Sequence, residues 1–183
     1  VWERKGALDD AQYAFREGKG VEGPLMLWAL MNEQVYRVKE DQARGQYDLC
    51  HAFDGVYWWA VELVLMIKGL EDDFLDYQGN LIRDTETAVI TPFGLTEFFR
   101  RLAGLPQGGT HSPALFNGFM DIMAKIQRAL AVEKGACIPD QYGNLIEMLV
   151  QIYCDDSHKS SSGPRCVEGL EERFSIAAMW GSF

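Results

Sequence analysis

Apolar residues first fall into a helical rhythm after Pro24. Trp28, Met31, Val35 and Val38 share one face, which predicts an amphipathic helix over residues 24–40 with Pro24 in its first turn. Arg44 to Leu49 reads as a short strand running into a charged, small-residue turn. Tyr57 to Gly69 is apolar nearly all round, broken only by Glu62 and Lys68, which predicts a helix buried on most sides. Glu71 to Leu81 reads as a second, weaker helix. Thr85–Thr91 and Thr96–Leu102 read as strands around the turn Pro92-Phe93-Gly94. Gly104 to Gly109 is too rich in Gly and Pro to be regular. Ser112-Pro113 then opens a long helix, with Leu115, Phe119, Ile122, Ile126 and Leu130 as its stripe and Gly135 as its stop. Ile146, Met148, Val150 and Ile152 alternate with their neighbours as one strand. Ser160-Ser161-Ser162-Gly163 reads as a loop, and Val167 to Trp180 as a final helix. Strands and helices alternate irregularly and the strands form antiparallel hairpins, so the expected class is α+β.

Composition narrows the function classes. Of 183 residues, 48 % are hydrophobic and 24 % charged, enough for a packed core and too apolar for global disorder. Asp plus Glu number 27 against 17 Lys plus Arg, a net charge of −10. That opposes a self-sufficient nucleic-acid binder, which carries a basic surface. It does not oppose a piece of a longer chain whose basic parts lie elsewhere. Both ends read as cut: the first residue is Val1, and the chain stops in the apolar run Ala177–Phe183. A remainder of a longer polyprotein or open reading frame is therefore an expected partner. Cys50, Cys137, Cys154 and Cys166 have neither zinc-site spacing nor the density of a disulfide framework, which suggests reduced thiols in an intracellular protein, nuclear or cytoplasmic. No signal segment opens the chain, and Tyr57–Ile67, the longest apolar stretch, is too short to span a bilayer, so no membrane is expected as a partner. His51, His111 and His158 show no ligand spacing.

Three carboxylates ask for a reason. Asp155-Asp156 follows a strongly apolar strand, and Asp48 ends the short strand Tyr47-Asp48-Leu49. The ordinary reading of such residues is a surface turn or a cap. Two strand ends bearing carboxylates can also converge at one edge of a sheet and offer oxygen ligands to hard divalent cations. Two such ions activate a nucleophile and stabilise the leaving oxygen of a phosphoryl transfer.

Four segments together resemble a known family. Asp48-Leu49-Cys50-His51-Ala52-Phe53-Asp54-Gly55-Val56 is similar to the first catalytic motif of reverse transcriptases, in the D-L-x-x-A-F-D-x-V form of non-LTR (LINE-type) retrotransposons. Gly104 to Asn117 resembles the L-P-Q-G-x-x-x-S-P-x-x-F motif, and Tyr153-Cys154-Asp155-Asp156 the Y-x-D-D box. Gln12 to Gly18 is similar to the upstream Q-x-G-F-R-x-G segment, with Ala14 where the family has Gly. The likeness runs from about residue 12 to 180.

The resemblance implies a right-hand polymerase palm, with an antiparallel sheet and packed helices, plus part of the fingers. Residues of about 1–45 and 70–105 would be fingers-like or an insert, and about 46–69 and 106–183 palm, with the thumb absent. It implies an RNA-directed DNA polymerase, transferring a dNTP to the 3′-hydroxyl of a DNA primer on an RNA template with two Mg²⁺ ions, Mn²⁺ being the substitute. Asp48, Asp155 and Asp156 would be the catalytic, metal-binding carboxylates, with the Leu49 carbonyl as a further ligand. Leu49, Ala52, Phe53, Gln107 and Gly108 would line the nucleotide, Phe53 as the ring that excludes a ribose 2′-hydroxyl. Tyr153 would support the primer end. The carboxyl groups of Asp48 and Asp155 are then expected about 4 to 7 Å apart, close enough to share two ions. Phe53 as plain core packing, and Asp54 as a structural hydrogen-bonder, are the alternatives at those positions.

The sequence departs from the family in three places. Arg4 and Lys5 do not reproduce its triphosphate-binding fingers motif. Nothing after Trp180 matches its primer grip and thumb. Ser157 to Ser162 is polar where the family's return strand is partly apolar, which puts that strand in doubt. The alternative function is a non-catalytic reverse-transcriptase-like scaffold that binds RNA or protein. The isolated chain is expected not to polymerise, and to expose surface prone to aggregation.

Overall fold

The computed structural model describes every residue except 1, 3–5, 84, 132–134 and 182–183. Arg4 and Lys5 therefore lie outside the described residues. The described residues divide into two compact units, one within 1–50 and 120–181 and the other within 51–119.

The first unit is built on a three-stranded antiparallel sheet of order β1-β9-β8: β1 (Gln42–Tyr47), β8 (Val150–Tyr153) and β9 (Asp156–Ser162). The polar segment after Asp156, doubtful as a strand and expected to end in a serine loop, is the central strand. Alternation explains this, because each side chain of β9 meets a different kind of partner on its face. On one face the Ser160 hydroxyl accepts the Ala136 N–H (3.0 Å) and donates to the Met148 carbonyl, and Ser162 donates to the Gly135 carbonyl (3.0 Å). Ala136 and Met148 belong to the hairpin of β6 (Ala136–Pro139) and β7 (Leu145–Met148), and Gly135 directly precedes it. On the other face Ser157 and Lys159 point toward α5 (Cys166–Gly181), whose Phe174 ring fills the space a side chain at Gly45 would take. Small hydroxyls satisfy main-chain groups locally, so a strand with no apolar residue is mostly buried, with the His158 Nδ1 atom left without a hydrogen-bond partner.

Helix α1 (Glu22–Val38) ends as its spacing predicts, with Lys39 left-handed and its N–H on the Val35 carbonyl. It buries Pro24 and Met31 and packs Met31, with Leu27 and Trp28, on Ala136 and Ile138, whereas Val38 stays exposed. The expected single strand over 146–152 is two strands that break at Leu149: β7 pairs with β6, and β8 joins the main sheet. The other side of β8 takes residues 11–13 in parallel, Ile152 N–H to the Ala11 carbonyl (2.8 Å) and Tyr13 N–H to the Ile152 carbonyl (2.9 Å).

The second unit holds α2 (Trp58–Ile67), α3 (Asp72–Arg83) and a broken hairpin. The hairpin has an outer pair, β2 (Glu86–Thr87) with β5 (Phe99–Arg100), and an inner pair, β3 (Ile90–Thr91) with β4 (Gly94–Leu95). Helix α2 is not buried on most sides. It buries Ala60, Val61, Val64 and Leu65, and exposes Trp59, Leu63, Met66 and Ile67. Within this unit α3 covers one face, the two helices being joined by the Arg83–Glu62 ion pair.

Helix α4 (Ser112–Leu130) runs from the second unit's residues into the first's and ends before Gly135, its expected stop. Its buried row is Leu115, Phe116, Phe119, Met120, Met123, Ala124 and Gln127, while Leu130 is exposed. The expected stripe is thus rotated by about one residue. Among the described residues no helix is long and apolar enough to cross a membrane.

Candidate functional site

The register of the first sheet decides where the acidic residues lie. Tyr47 sits opposite Ser157, and Tyr153 opposite Asp156. Asp48 follows the last residue of β1, one step beyond that pairing, on the side where β9 begins. Asp155 is in the two-residue turn between β8 and β9. All three carboxylates are therefore at one end of one sheet. Asp156 shares a face with Gln46, whose amide donates to it at 3.3 Å. By alternation Tyr153 is on that face too.

The turn carries backbone strain. Cys154 has φ 58, a left-handed conformation that a Cβ disfavours. A two-residue hairpin turn needs positive φ there, and Gly is its usual occupant. Strain of this kind aims the next residue, here Asp155. The Cys154 thiol is pushed up to about 11, by burial first and by the adjacent Asp155 charge next, so it stays protonated. Burial likewise holds the Tyr47 hydroxyl above its ordinary value and the His158 imidazole below its own.

Among the described residues no group of three or more His, Cys, Asp or Glu side chains is gathered as a metal-holding cluster. The donor type at this sheet end, carboxylate oxygen, is the one a hard cation takes. The fit is one of backbone placement and donor type.

The second unit joins its two motifs by main-chain bonds. Leu105 N–H donates to the Phe53 carbonyl (2.8 Å), Gly104 N–H to the Val56 carbonyl (2.9 Å), and the Trp58 indole to the Gly104 carbonyl (3.0 Å). Gly104 has φ +95, and a Cβ there would lie 3.0 Å from the Asp54 Cα and carbonyl oxygen. Only glycine allows that approach. The Gln107 amide donates to the Asp54 carboxylate (3.2 Å), and the Ser112 hydroxyl to the Pro106 carbonyl (2.6 Å), tying the loop down at both ends. Ser112 thus fixes the Gly-Pro loop through this bond. Gly108, at φ +86, has open space where its Cβ would be. Phe53 stacks on Phe116, ring centroids 4.6 Å apart and planes within 17°. Ala52 lies half-buried just before it.

The residues expected at the metal and primer, Asp48, Leu49, Tyr153, Asp155 and Asp156, all fall in the first unit. Those expected at the nucleotide other than Leu49, namely Ala52, Phe53, Gln107 and Gly108, fall in the second.

Solved structures share this arrangement of elements. Apo telomerase from Candida tropicalis, truncated of its C-terminal domain, superposes with a TM-score of 0.65 at 13 % identity, over 93 % of this chain and 34 % of that one. Telomerase from Candida albicans, in complex with a TWJ fragment of telomeric RNA, gives 0.66 at 10 % identity, over 93 % and 29 %. The Candida tropicalis enzyme in complex with the same kind of RNA fragment gives 0.65 at 11 %, over 94 % and 29 %. The fold is reverse-transcriptase-like. At these identities the likeness is one of fold alone, and the chain spans about a third of the length of the telomerases it matches. No family model and no curated protein sequence matches it. The motifs that resemble retrotransposon enzymes thus sit in a reverse-transcriptase-like fold whose neighbours named above are telomerases.

One residue of this fold escaped sequence reasoning. Lys159 is 1 % exposed. Its ammonium lies 4.9 Å from the Tyr47 ring centroid and 5.8 Å from that of Phe174, and donates to the Ser157 hydroxyl at 2.6 Å. Burial brings it down to about 7. Lysine in a serine-rich segment reads as solvated, and no sequence signal marks it as core.

Proposed function

We propose that this chain is the catalytic core segment of an RNA-directed DNA polymerase of the non-LTR retrotransposon kind, acting inside the cell. The observation that carries the reading is the sheet register, which brings the end of β1, with Asp48, alongside the β8–β9 turn, with Asp155 and Asp156. The reverse-transcriptase-like fold supports it, because the four motifs lie in a chain of that fold.

The reaction joins a primer 3′-oxygen to the α-phosphorus of a dNTP and breaks the bond to the β-phosphate, releasing pyrophosphate. The hydroxyl proton passes to solvent. Asp48, Asp155 and the Leu49 carbonyl would hold divalent ions, Mg²⁺ or Mn²⁺, which would supply Lewis-acid activation of the hydroxyl and charge neutralisation on the phosphates. Asp156, anchored by Gln46, keeps the turn in register. Tyr153, one pairing step before the acidic turn, supports the primer end. Gln107 and Asp54 brace the Gly-Pro loop, which leaves the Gly108 backbone open to a nucleotide. Phe53, held flat by Phe116, is the ring that would meet a 2′-hydroxyl.

The test is primer extension on an RNA template with Mg²⁺, using the protein extended at both ends. Asp155→Asn should abolish extension. Phe53→Val should raise ribonucleotide relative to deoxynucleotide incorporation. Extension that survives Asp155→Asn would leave only a binding scaffold. An unchanged sugar ratio would reduce Phe53 to packing. The 183-residue chain alone should not extend a primer, because its net charge of −10 opposes holding the strands.

A further inference from the structure

Two segments of the chain carry nearly the same seven residues. Asp76-Tyr77-Gln78-Gly79-Asn80-Leu81-Ile82 and Asp140-Gln141-Tyr142-Gly143-Asn144-Leu145-Ile146 agree at five positions and exchange Tyr with Gln at the other two. The first lies in helix α3, and the second forms the turn and the start of the outgoing strand of the β6–β7 hairpin. That turn is built from its own residues. The Asp140 carboxylate accepts the Tyr142 and Asn144 N–H groups (2.8 Å each) and the Asn144 side-chain amide (2.9 Å). Asp140 N–H donates to the Asn144 carbonyl (2.8 Å), Gly143 N–H donates to the Asp140 carbonyl (3.1 Å), and Gly143 has φ 85. The side chains in use are Asp, Gly and Asn at the first, fourth and fifth positions, where the two segments are identical. Asp76, Gly79 and Asn80 therefore carry the same turn in latent form.

The flanks agree as well. Moved onto α3, the register of β6 with β7 sets Leu75 opposite Leu81, Phe74 opposite Ile82 and Asp73 opposite Arg83. Two apolar pairs and one pair of opposite charge are the kind that stabilises adjacent strands. The helix suits this sequence less well. Gly is the poorest interior helix residue after Pro, and Asp and Asn rank low. Nor does close packing demand Gly79: a Cβ there would lie 3.4 Å from Glu62 Oε1, an ordinary contact. What favours the helix is its setting, the burial of Gln78 and Ile82 and the Arg83–Glu62 ion pair with α2.

We propose that α3 is a two-state element: residues 73–83 interconvert between the helix docked on α2 and a β-hairpin with the turn seen at residues 140–144. Two packings of one sequence that lie close in energy switch in this way. In the hairpin Arg83 exchanges Glu62 for Asp73, and the face of α2 that α3 covers is released. A lone two-stranded hairpin is marginal in water, so the helix is the major state. The device is independent of the proposed polymerase chemistry.

The experiment traps the hairpin by mild oxidation of the 183-residue chain, with folding checked by circular dichroism and disulfides mapped by mass spectrometry. Leu75→Cys with Leu81→Cys joins positions that face each other in the hairpin but lie about 9 Å apart along the helix axis, too far for a disulfide. Phe74→Cys with Leu81→Cys closes a loop one residue longer and puts the two thiols on opposite faces of the hairpin. A merely frayed helix closes both loops at nearly equal rates. The 75–81 disulfide should instead form about tenfold faster than the 74–81 disulfide. Gly79→Ala, which suits the helix and opposes positive φ, should slow the 75–81 disulfide about fivefold. Equal rates for the two pairs would overturn the proposal, and so would a 75–81 rate that Gly79→Ala leaves unchanged. Should a cysteine pair unfold the chain, saturation-transfer NMR of the unaltered protein decides. Strand-like minor-state Cα shifts at residues 73–75 and 81–83 are expected; coil-like shifts, or no minor state, would overturn it.

Discussion

A cysteine in the left-handed region costs about 1–2 kcal/mol relative to an ordinary backbone angle. Cys154 bears that cost at the tip of the acidic hairpin. Cys154→Gly should therefore stabilise the chain by roughly 0.5–1 kcal/mol in urea unfolding, after glycine's larger unfolded-state entropy is subtracted. A loss of stability would show that thiol packing outweighs the strain. The same tip keeps its thiol protonated, so alkylation of Cys154 at pH 8 should lag behind that of exposed Cys50. Lys159 gives a pH signature. Its folded value of about 7 lies below its ordinary 10.5, so the unfolded chain binds more protons between those values. Stability should rise with pH from 7 to 8.5, by roughly 1 kcal/mol per unit, and the gain should be missing below 7. Above that window the raised Cys154 and Tyr47 groups work the other way, because they ionise more readily when unfolded. Lys159→Met should flatten the slope between 7 and 8.5; an unchanged slope would assign it to another group.

At the scale of elements, β9 shows what hydrophobic pattern cannot read. Its Asp-Ser-His-Lys-Ser-Ser-Ser run contains no apolar residue, yet most of it is buried. The information that makes it a strand lies in its neighbours: β1 and β8 supply both ladders, and main-chain groups of residues 135–148 receive the hydroxyls. Ser160→Ala should thus cost about 1–3 kcal/mol, the price of a buried Ala136 N–H left without an acceptor. Ser175→Ala, on an exposed turn of α5 where the hydroxyl only doubles a helical carbonyl bond, should stay within about 0.5 kcal/mol. Equal effects would remove the special role of β9. The helices were far more legible. In α1 and α5 spacing and end signals gave both ends within two residues. In α4 the start was right, but the buried row was misphased, because Phe116 and Met120 form the inner row that the Leu115–Phe119 pattern only borders. The break at Leu149 was hidden because Ile146, Met148, Val150 and Ile152 keep their two-residue spacing through it, and only the pairing partners change.

For the molecule as a whole, the chemistry-bearing residues were legible as linear motifs, and their support was not. The sequence order of Asp48, the Gly-Pro loop and Asp155-Asp156 pointed to a reverse-transcriptase-like fold, which the telomerase structures share. The Gly104 approach to Asp54, the Lys159 box and the pairing of residues 11–13 with β8 depend on contacts across long stretches of chain, which no local pattern encodes. The fold also leaves apolar surface bare. In the hairpin of the second unit Phe93 is 100 % exposed and Ile90 84 %, and just after it Leu102 is 90 % exposed. Exposed apolar side chains clustered in this way promote association. Phe93→Ser combined with Ile90→Thr should lower concentration-dependent light scattering without moving the unfolding midpoint. Scattering that does not change would place the sticky surface elsewhere.

The parallel pairing of residues 11–13 has a consequence for how the chain can be shortened. Strand β8 gives one of its two rows of main-chain groups to β9 and the other to Ala11 and Tyr13. Remove that first segment, and the strand that leads into Tyr153 becomes an open border, ready to accept any extended peptide in reach. A version begun after residue 16 would thus trade a finished sheet for one that recruits copies of itself, strand by strand.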